Sequence, residues 1–346
     1  MDASYDGRQI VGIDLHRQRS VIVRMTEDGR KLEAVRITNS PAALRREIAK
    51  AGPHPRVAVE ATYGWYWAAD VLEAAGAEVH LAHPLGVKAF TYRRVKDDER
   101  DAADLAGLLR MGRLPEAWIA PPEIRELREL TRYRHKLVGL RTSCRDQVHA
   151  VLAKLGIPVI HSDIFGVHGQ AWLDGLCLPQ PYAGKVASLR PLNAELTAEI
   201  ALLEQVIGDL LAGHEGYRAI QALPGIGPVL GAVIVAEIGD IRRFPGPGQL
   251  CSWAGLTPRH RESDTKVSPG ARDQAGLADA ALGGHRGRPA AARWHPAAAG
   301  QRRHHRPRHP GRNTAKVAAA RELLTLIFYA MRDGHIRRAS RPEQAA

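Results

Sequence analysis

Over the first third of the chain, apolar residues come in short runs of the length strands need. Further on they recur at helical spacing. Residues 9–15, with Ile10, Val11, Ile13 and Leu15, read as a buried strand. Two more β-rich runs, 19–25 and 31–37, are joined by a Glu27-Asp28-Gly29 turn, which predicts a hairpin. Ser40-Pro41 has the form of an N-cap followed by proline at the first helical position. Val57 to Glu60 predicts the next strand, Gly64 to Ala75 a helix, and Glu78 to Ala82 another short strand. A further helix begins near Asp98. The order β-β-β-α-β-α-β-α predicts a mixed α/β domain over residues 1–115.

Pro121 and Pro122 open a different region. From Glu123 to Leu155, Leu127, Leu130, Leu137, Leu140, Val148, Val151, Leu152 and Leu155 fall at helical spacing, with Arg and Lys on the other faces. A second long helix is expected from about Leu192 to Leu211, and 157–190 reads as loop-rich. Residues 120–212 therefore predict a long α-helical hairpin or coiled coil, serving either as a dimer arm or as part of a plain bundle. A mainly α domain is expected over 213–334, with a short tail at 335–346. Within it, Leu223-Pro224-Gly225-Ile226-Gly227-Pro228 predicts a tight turn between two helices, a helix–hairpin–helix-like motif. The backbone N–H groups of Gly225, Ile226 and Gly227 are candidates for holding a DNA phosphate. An ordinary glycine turn joining core helices is the alternative.

Four carboxylates carry the chemistry. Asp14 and Glu60 each close a strand-like run, and Asp98 and Asp101, three residues apart, share one helix face. Brought together, they would concentrate negative charge that a divalent cation neutralises. Sites with two ions ~3.5–4 Å apart serve phosphodiester chemistry, and an all-oxygen donor set points to Mg²⁺. Asp97 and Asp104 lie close by, and helical spacing alone does not exclude Asp104. His16, taken as following Asp14 directly, is a candidate to touch the site, although facing away is the commoner case because strand neighbours alternate sides. Trp65 and Trp67 are of a type that stacks on bases, although packing in a helix core is their commoner use.

Charge adds a partner. The chain has 346 residues, with 49 Lys+Arg against 37 Asp+Glu, a net charge of +12. That balance favours a polyanion, because neutralised phosphates release counterions. Cys144, Cys177 and Cys251 lie far apart with no CxxC spacing, so neither a zinc knuckle nor a disulfide framework is expected. The polar N-terminus lacks a signal-peptide pattern, and no apolar run approaches the ~18 residues of a membrane span. A cytoplasmic location is the expectation.

Three blocks, in order, resemble the DEDD transposases of the IS110 insertion-sequence group. They are Ile13-Asp14-Leu15-His16; Val59-Glu60-Ala61-Thr62-Tyr63-Gly64 with Lys96-Asp97-Asp98-Glu99-Arg100-Asp101-Ala102; and Leu223 to Pro228 through Ala236-Glu237-Ile238-Gly239-Asp240, Arg243-Phe244 and Trp253-Ala254-Gly255-Leu256-Thr257-Pro258. The resemblance implies an RNase H-like (RuvC-like) N-terminal domain and a separate C-terminal transposase domain with a serine nucleophile. Asp14, Glu60, Asp98 and Asp101 fall on the family's acidic positions, where two Mg²⁺ ions are implied. Ser263 falls where the serine is expected, with Ser268 as the alternative. Arg259 and Lys266 are candidate DNA contacts beside it. Element-end and target DNA, a structured guide RNA and a homodimer or tetramer are the implied partners. A junction-resolving nuclease using the N-terminal site alone, or a catalytically dead nucleic-acid-binding relic, are the competing readings.

Residues 271–312 break the pattern. They contain no Ile, Val, Phe, Tyr, Met, Lys or Glu, but nine Arg against two Asp, a surplus of seven in the total of +12. A basic tail would have this composition. However, Ala271 to Leu282 can be encoded so that a one-nucleotide shift reads Pro-Val-Thr-Lys-Gln-Gly-Ser-Arg-Met-Leu-Arg-Trp, which resembles the block the family carries there. Two compensating frameshifts enclosing the segment, and impaired transposition by this copy, are the expectation. The shifted frame of the coding DNA being closed by stops would refute the frameshifts.

Overall fold

A computed structural model describes residues 5, 7–90, 97–257, 260–263, 266–269 and 312–336, with backbone alone for 260–263, 266–269 and 312–316. The chain divides into two compact units, residues 1–120 and 121–346.

The first unit is built on strands β1 (Ile10–Leu15), β2 (Arg19–Met25), β3 (Lys31–Thr38), β4 (Arg56–Glu60), β5 (Glu78–Ala82) and β6 (Glu116–Ala117). Their spatial order is β3-β2-β1-β4-β5-β6. β1 to β3 form an antiparallel meander, β1, β4 and β5 are parallel, and β6 returns antiparallel to β5. This mixed sheet is compatible with the RNase H-like architecture. Helices α1 (Pro41–Ala49), α2 (Trp65–Ala74), α3 (Pro84–Val87) and α4 (Asp98–Arg110) complete the unit. α3 and β6 are additions to the expected order; both are too short to leave a periodic signature. The Ser40 hydroxyl accepts the Ala43 N–H at 3.1 Å, the cap that Ser40-Pro41 predicts.

Strand alternation divides the core. Val11, Ile13, Leu15, Val57 and Val59 pack with Leu44, Ile48 and Leu72 of α1 and α2. Ile10 and Ala58 pack with Ala102, Leu105, Ala106 and Leu109 of α4. Gly12 sits on the α4 face, where a Cβ would lie 1.9 Å from the Ala102 carbonyl oxygen. Only glycine lets α4 lie this close to β1. Trp65 and Trp67 are partly buried against the α1–α2 core, the packing role rather than a free stacking platform.

In the second unit, α5 (Pro122–Lys154) and α7 (Tyr182–Leu211) pack as an antiparallel pair. Arg134 bonds Glu204 near one end and Arg145 bonds Asn193 further along. α5 spans roughly 50 Å at 1.5 Å per residue. Two expectations need correction. First, the segment 157–190 contains α6 (Val167–Asp174) and the first turns of α7, which begins ten residues before Leu192. Pro191 reads as a helix stop because its missing N–H removes one helical bond. Val186 and Leu189, buried just upstream, hold the helix through it. Second, Leu140 is exposed, and Cys144 takes a place in the α5 core instead.

The rest of the unit packs α8 (Glu215–Gln221), α9 (Pro228–Ile238), α10 (Pro247–Trp253) and α11 (Arg312–Asp333). Their shared core includes Ile220, Val235, Leu250, Ile327 and Phe328. Two strands, β7 (His260–Ser263) and β8 (Lys266–Pro269), pair antiparallel. The aberrant segment 271–312 lies outside the described residues except for Arg312, the first residue of α11. Among the described residues, no helix is long and apolar enough to cross a membrane.

Candidate metal centre

Period-two alternation builds the site. Ile10, Gly12 and Asp14 share the α4 face of β1, and Ala58 and Glu60 share that face of β4. β1 and β4 are in parallel register through Ile13 and Val59, so Asp14 and Glu60 follow directly on neighbouring strands. The close approach at Gly12 brings the start of α4 over the end of β1. Asp98 is the first residue of α4, one turn before buried Ala102, and Asp101 is one turn before buried Leu105. Both acids therefore continue the stripe that faces the sheet. Asp97 is the N-cap: its carboxylate accepts the Glu99 N–H at 3.1 Å and lies 3.5 Å from Arg100 Nε. That gives Asp97 a structural role.

Asp14 is 5% exposed. His16 Nε2 lies 3.0 Å from Asp14 Oδ2 and 3.5 Å from Asp98 Oδ1. One donor atom from each of Asp14, His16 and Asp98 lies within 4.8 Å of the others. This three-residue group does not include Glu60 or Asp101. Of the two readings of His16, the structure gives contact with the site, not the commoner one of facing away. Leu15 separates it from Asp14, and residues two apart on a strand lie on the same side.

The loops around the group are held by hydrogen bonds. The Asn39 amide donates to the His16 carbonyl oxygen at 2.6 Å, and the His16 N–H donates to the Arg19 carbonyl oxygen at 3.2 Å. Buried Ser20 donates to Asn39 Oδ1 at 2.6 Å. On the other side, the Thr62 hydroxyl donates to the Leu15 carbonyl oxygen at 3.2 Å, tying the loop after β4 to the end of β1. Sequence reading missed Asn39 and Thr62, because their partners are backbone atoms of residues far away in sequence.

A buried carboxylate, a second carboxylate and an imidazole, with one donor atom each within 4.8 Å of the others, are a donor set that fits a divalent cation.

The remaining candidates lie in the second unit. Gly225 has φ +89°, the left-handed conformation its turn requires. Ile226 is buried and its N–H donates to the Leu223 carbonyl oxygen at 3.1 Å; Gly227 caps α9, whose first residue is Pro228. Neither Ile226 nor Pro228 therefore offers an N–H to a phosphate. Ser263 ends β7 and pairs with Lys266 across the hairpin, and Ser268 pairs with Arg261. Arg259 lies outside the described residues.

Comparison with known proteins matches two regions of the chain to transposase families. The profile of the DEDD transposase family of IS110 matches residues 11–157, which include all four acids. The profile described as "Transposase IS116/IS110/IS902 family" matches 217–277, which include the glycine turn and Ser263. The chain is 28% identical to the "Probable family 20 transposase" of Pseudomonas aeruginosa over 74% of this chain and 72% of that protein. It is 22% identical to the transposase for insertion sequence element IS1111A of Coxiella burnetii, over 75% of this chain and 71% of that protein. The "Putative transposase y4qE" of Sinorhizobium fredii is 27% identical over 73% of this chain and 64% of that protein. The two matched regions, 11–157 and 217–277, define a DEDD transposase. Within that class, the chain belongs to the IS110 family of insertion-sequence transposases.

Proposed function

We propose that the chain cuts and rejoins DNA at the ends of its insertion sequence. Asp14, Glu60, Asp98 and Asp101 would hold divalent cations, with Mg²⁺ as the physiological metal. The observation that carries this reading is the convergence of buried Asp14 with Asp98 at the end of β1. Two carboxylates this close repel each other unless positive charge lies between them. When bound, the cations supply the charge that orients a phosphodiester and stabilises its leaving oxygen.

Ser263, in the second unit, is the proposed nucleophile. Its oxygen would form an ester with the DNA phosphorus as the bond to a deoxyribose oxygen breaks, so the phosphoester is conserved for rejoining. Serine needs help to lose its proton. The basic residues around the β7–β8 hairpin, Arg259 and Lys266 among them, would hold the phosphate. The Gly225-Ile226-Gly227 turn would lie along the DNA backbone. A structured guide RNA and assembly as a dimer or tetramer belong to the same reading, and the surplus of basic residues suits both nucleic acids.

This copy would be impaired, because residues 271–312 separate Ser263 from α11 with a composition unlike the rest of the chain. The test incubates element-end DNA and Mg²⁺ with this chain and with a version carrying 271–312 in the shifted frame. Metal-dependent cutting is expected, lost in Asp14→Asn. A covalent protein–DNA adduct is expected in the repaired version, lost in Ser263→Ala, with little or none from the present chain. Binding without cutting by both versions would sink the catalytic reading. Equal strand exchange by the two would sink the impairment.

A further inference from the structure

His16 is not one of the four carboxylates, yet it is the residue that joins two of them. We propose that His16 is a direct ligand of the divalent cation, adding one imidazole nitrogen to an otherwise all-oxygen set. This rests on the reading of the acidic edge as a cation site and names a further residue of that site.

The spacing supports it. Donors at right angles around an ion ~2.1 Å away lie about 3 Å apart, and donors on opposite sides about 4 Å apart. His16 Nε2 is 3.0 Å from Asp14 Oδ2 and 3.5 Å from Asp98 Oδ1, the range for adjacent positions. The donors come from three different places in the fold: the buried end of β1, the turn after it, and the first residue of α4. Both backbone polar groups of His16 are hydrogen-bonded, to Asn39 and to Arg19. The imidazole is thus mounted on a pinned turn, the support a ligand needs. Its side chain is 42% exposed against 8% for Asp14, which puts His16 at the mouth of the site.

The nitrogen has a chemical consequence. Imidazole suits transition metals, whereas Mg²⁺ prefers oxygen; Mn²⁺ accepts both. His16 therefore strengthens Mn²⁺ binding more than Mg²⁺ binding. In His16→Gln, Mn²⁺ affinity falls about tenfold or more and Mg²⁺ affinity changes less.

The test uses the full chain with Mn²⁺ alone and pulsed electron paramagnetic resonance. The bound ion is expected to show ¹⁴N modulation, which changes to the ¹⁵N pattern when the protein is labelled with [¹⁵N]histidine. It disappears in His16→Gln. The labelling result needs no variant, so a folding defect in His16→Gln would not hide it. Mn²⁺ bound in an Asp14-dependent way without nitrogen modulation, or with modulation that survives in His16→Gln, overturns the role of His16 and leaves the acidic site standing. Failure of the wild-type chain to bind Mn²⁺, or binding unchanged in Asp14→Asn, overturns both.

Discussion

Two buried carboxylates, one in each unit, are treated in opposite ways. Glu237, near the end of α9, is 2% exposed, and its two oxygens accept from Arg132 Nε and Nη2 at 3.0 and 3.1 Å. Arg128 donates to the neighbouring Ala236 and Glu237 carbonyl oxygens at 2.8 and 3.0 Å, so two α5 guanidinium groups clamp the end of α9. Asp14, 5% exposed, has a histidine and a second carboxylate among its neighbours. A carboxylate matched by a guanidinium fork is a joint between helices. A carboxylate grouped with another carboxylate concentrates charge that a cation can balance. Burial alone does not distinguish structure from chemistry; the charge of the neighbours does.

Neutralising each acid should separate the two roles. The largest effect is expected from Asp14→Asn placed in the version carrying 271–312 in the shifted frame: DNA cutting falls by at least ~10³-fold, about 4 kcal/mol in activation free energy. Thermal unfolding should change far less than cutting does, because the two neighbouring carboxylates repel each other. A clear destabilisation would put Asp14 in the same class as Glu237. Next comes Arg132→Ala, which leaves Glu237 buried without its fork. Denaturant unfolding should show a loss of about 3–5 kcal/mol. Unchanged stability would mean that Arg128 alone holds the joint.

Gly12→Ala probes what brings Asp98 to Asp14. With a Cβ 1.9 Å from the Ala102 carbonyl oxygen, α4 must move. The expected cost is about 1–3 kcal/mol or more, with weaker Mn²⁺ binding read by titration. Undiminished metal binding would detach the site from the β1–α4 contact. The smallest effect concerns a third buried acid. Hydrogen bonding from Lys50, followed by that from Arg46, holds the Glu47 carboxyl below its ordinary value of 4.5. Glu47 therefore adds stability above that value and loses the contribution as pH falls through its lower folded value. The melting-temperature difference between wild type and Glu47→Gln should be present well above pH 4.5 and shrink as the pH is taken further and further below it. A difference independent of pH would show that packing, not charge, makes Glu47 matter.

Local rules made much of this protein legible from its residues. Alternation marked β1 and β4 and placed Asp14 and Glu60 at their ends. Ser40-Pro41 announced α1, and the long apolar spacing announced α5. The ordered acidic and glycine blocks announced the family. These signals depend on neighbours within a few positions, so a linear reading retains them. Tertiary contacts decided the rest. Packing of Val186 and Leu189 carried α7 through Pro191, against the local tendency of proline to end a helix. The bare face of Gly12 let α4 descend until Asp98 met Asp14 and His16, residues more than eighty positions away in sequence. Asn39 and Thr62 acquired their roles only when the fold brought distant backbone atoms to them. Composition and periodicity encode which face a side chain takes; the opposing atoms across that face, and hence its chemistry, exist only once the chain has folded.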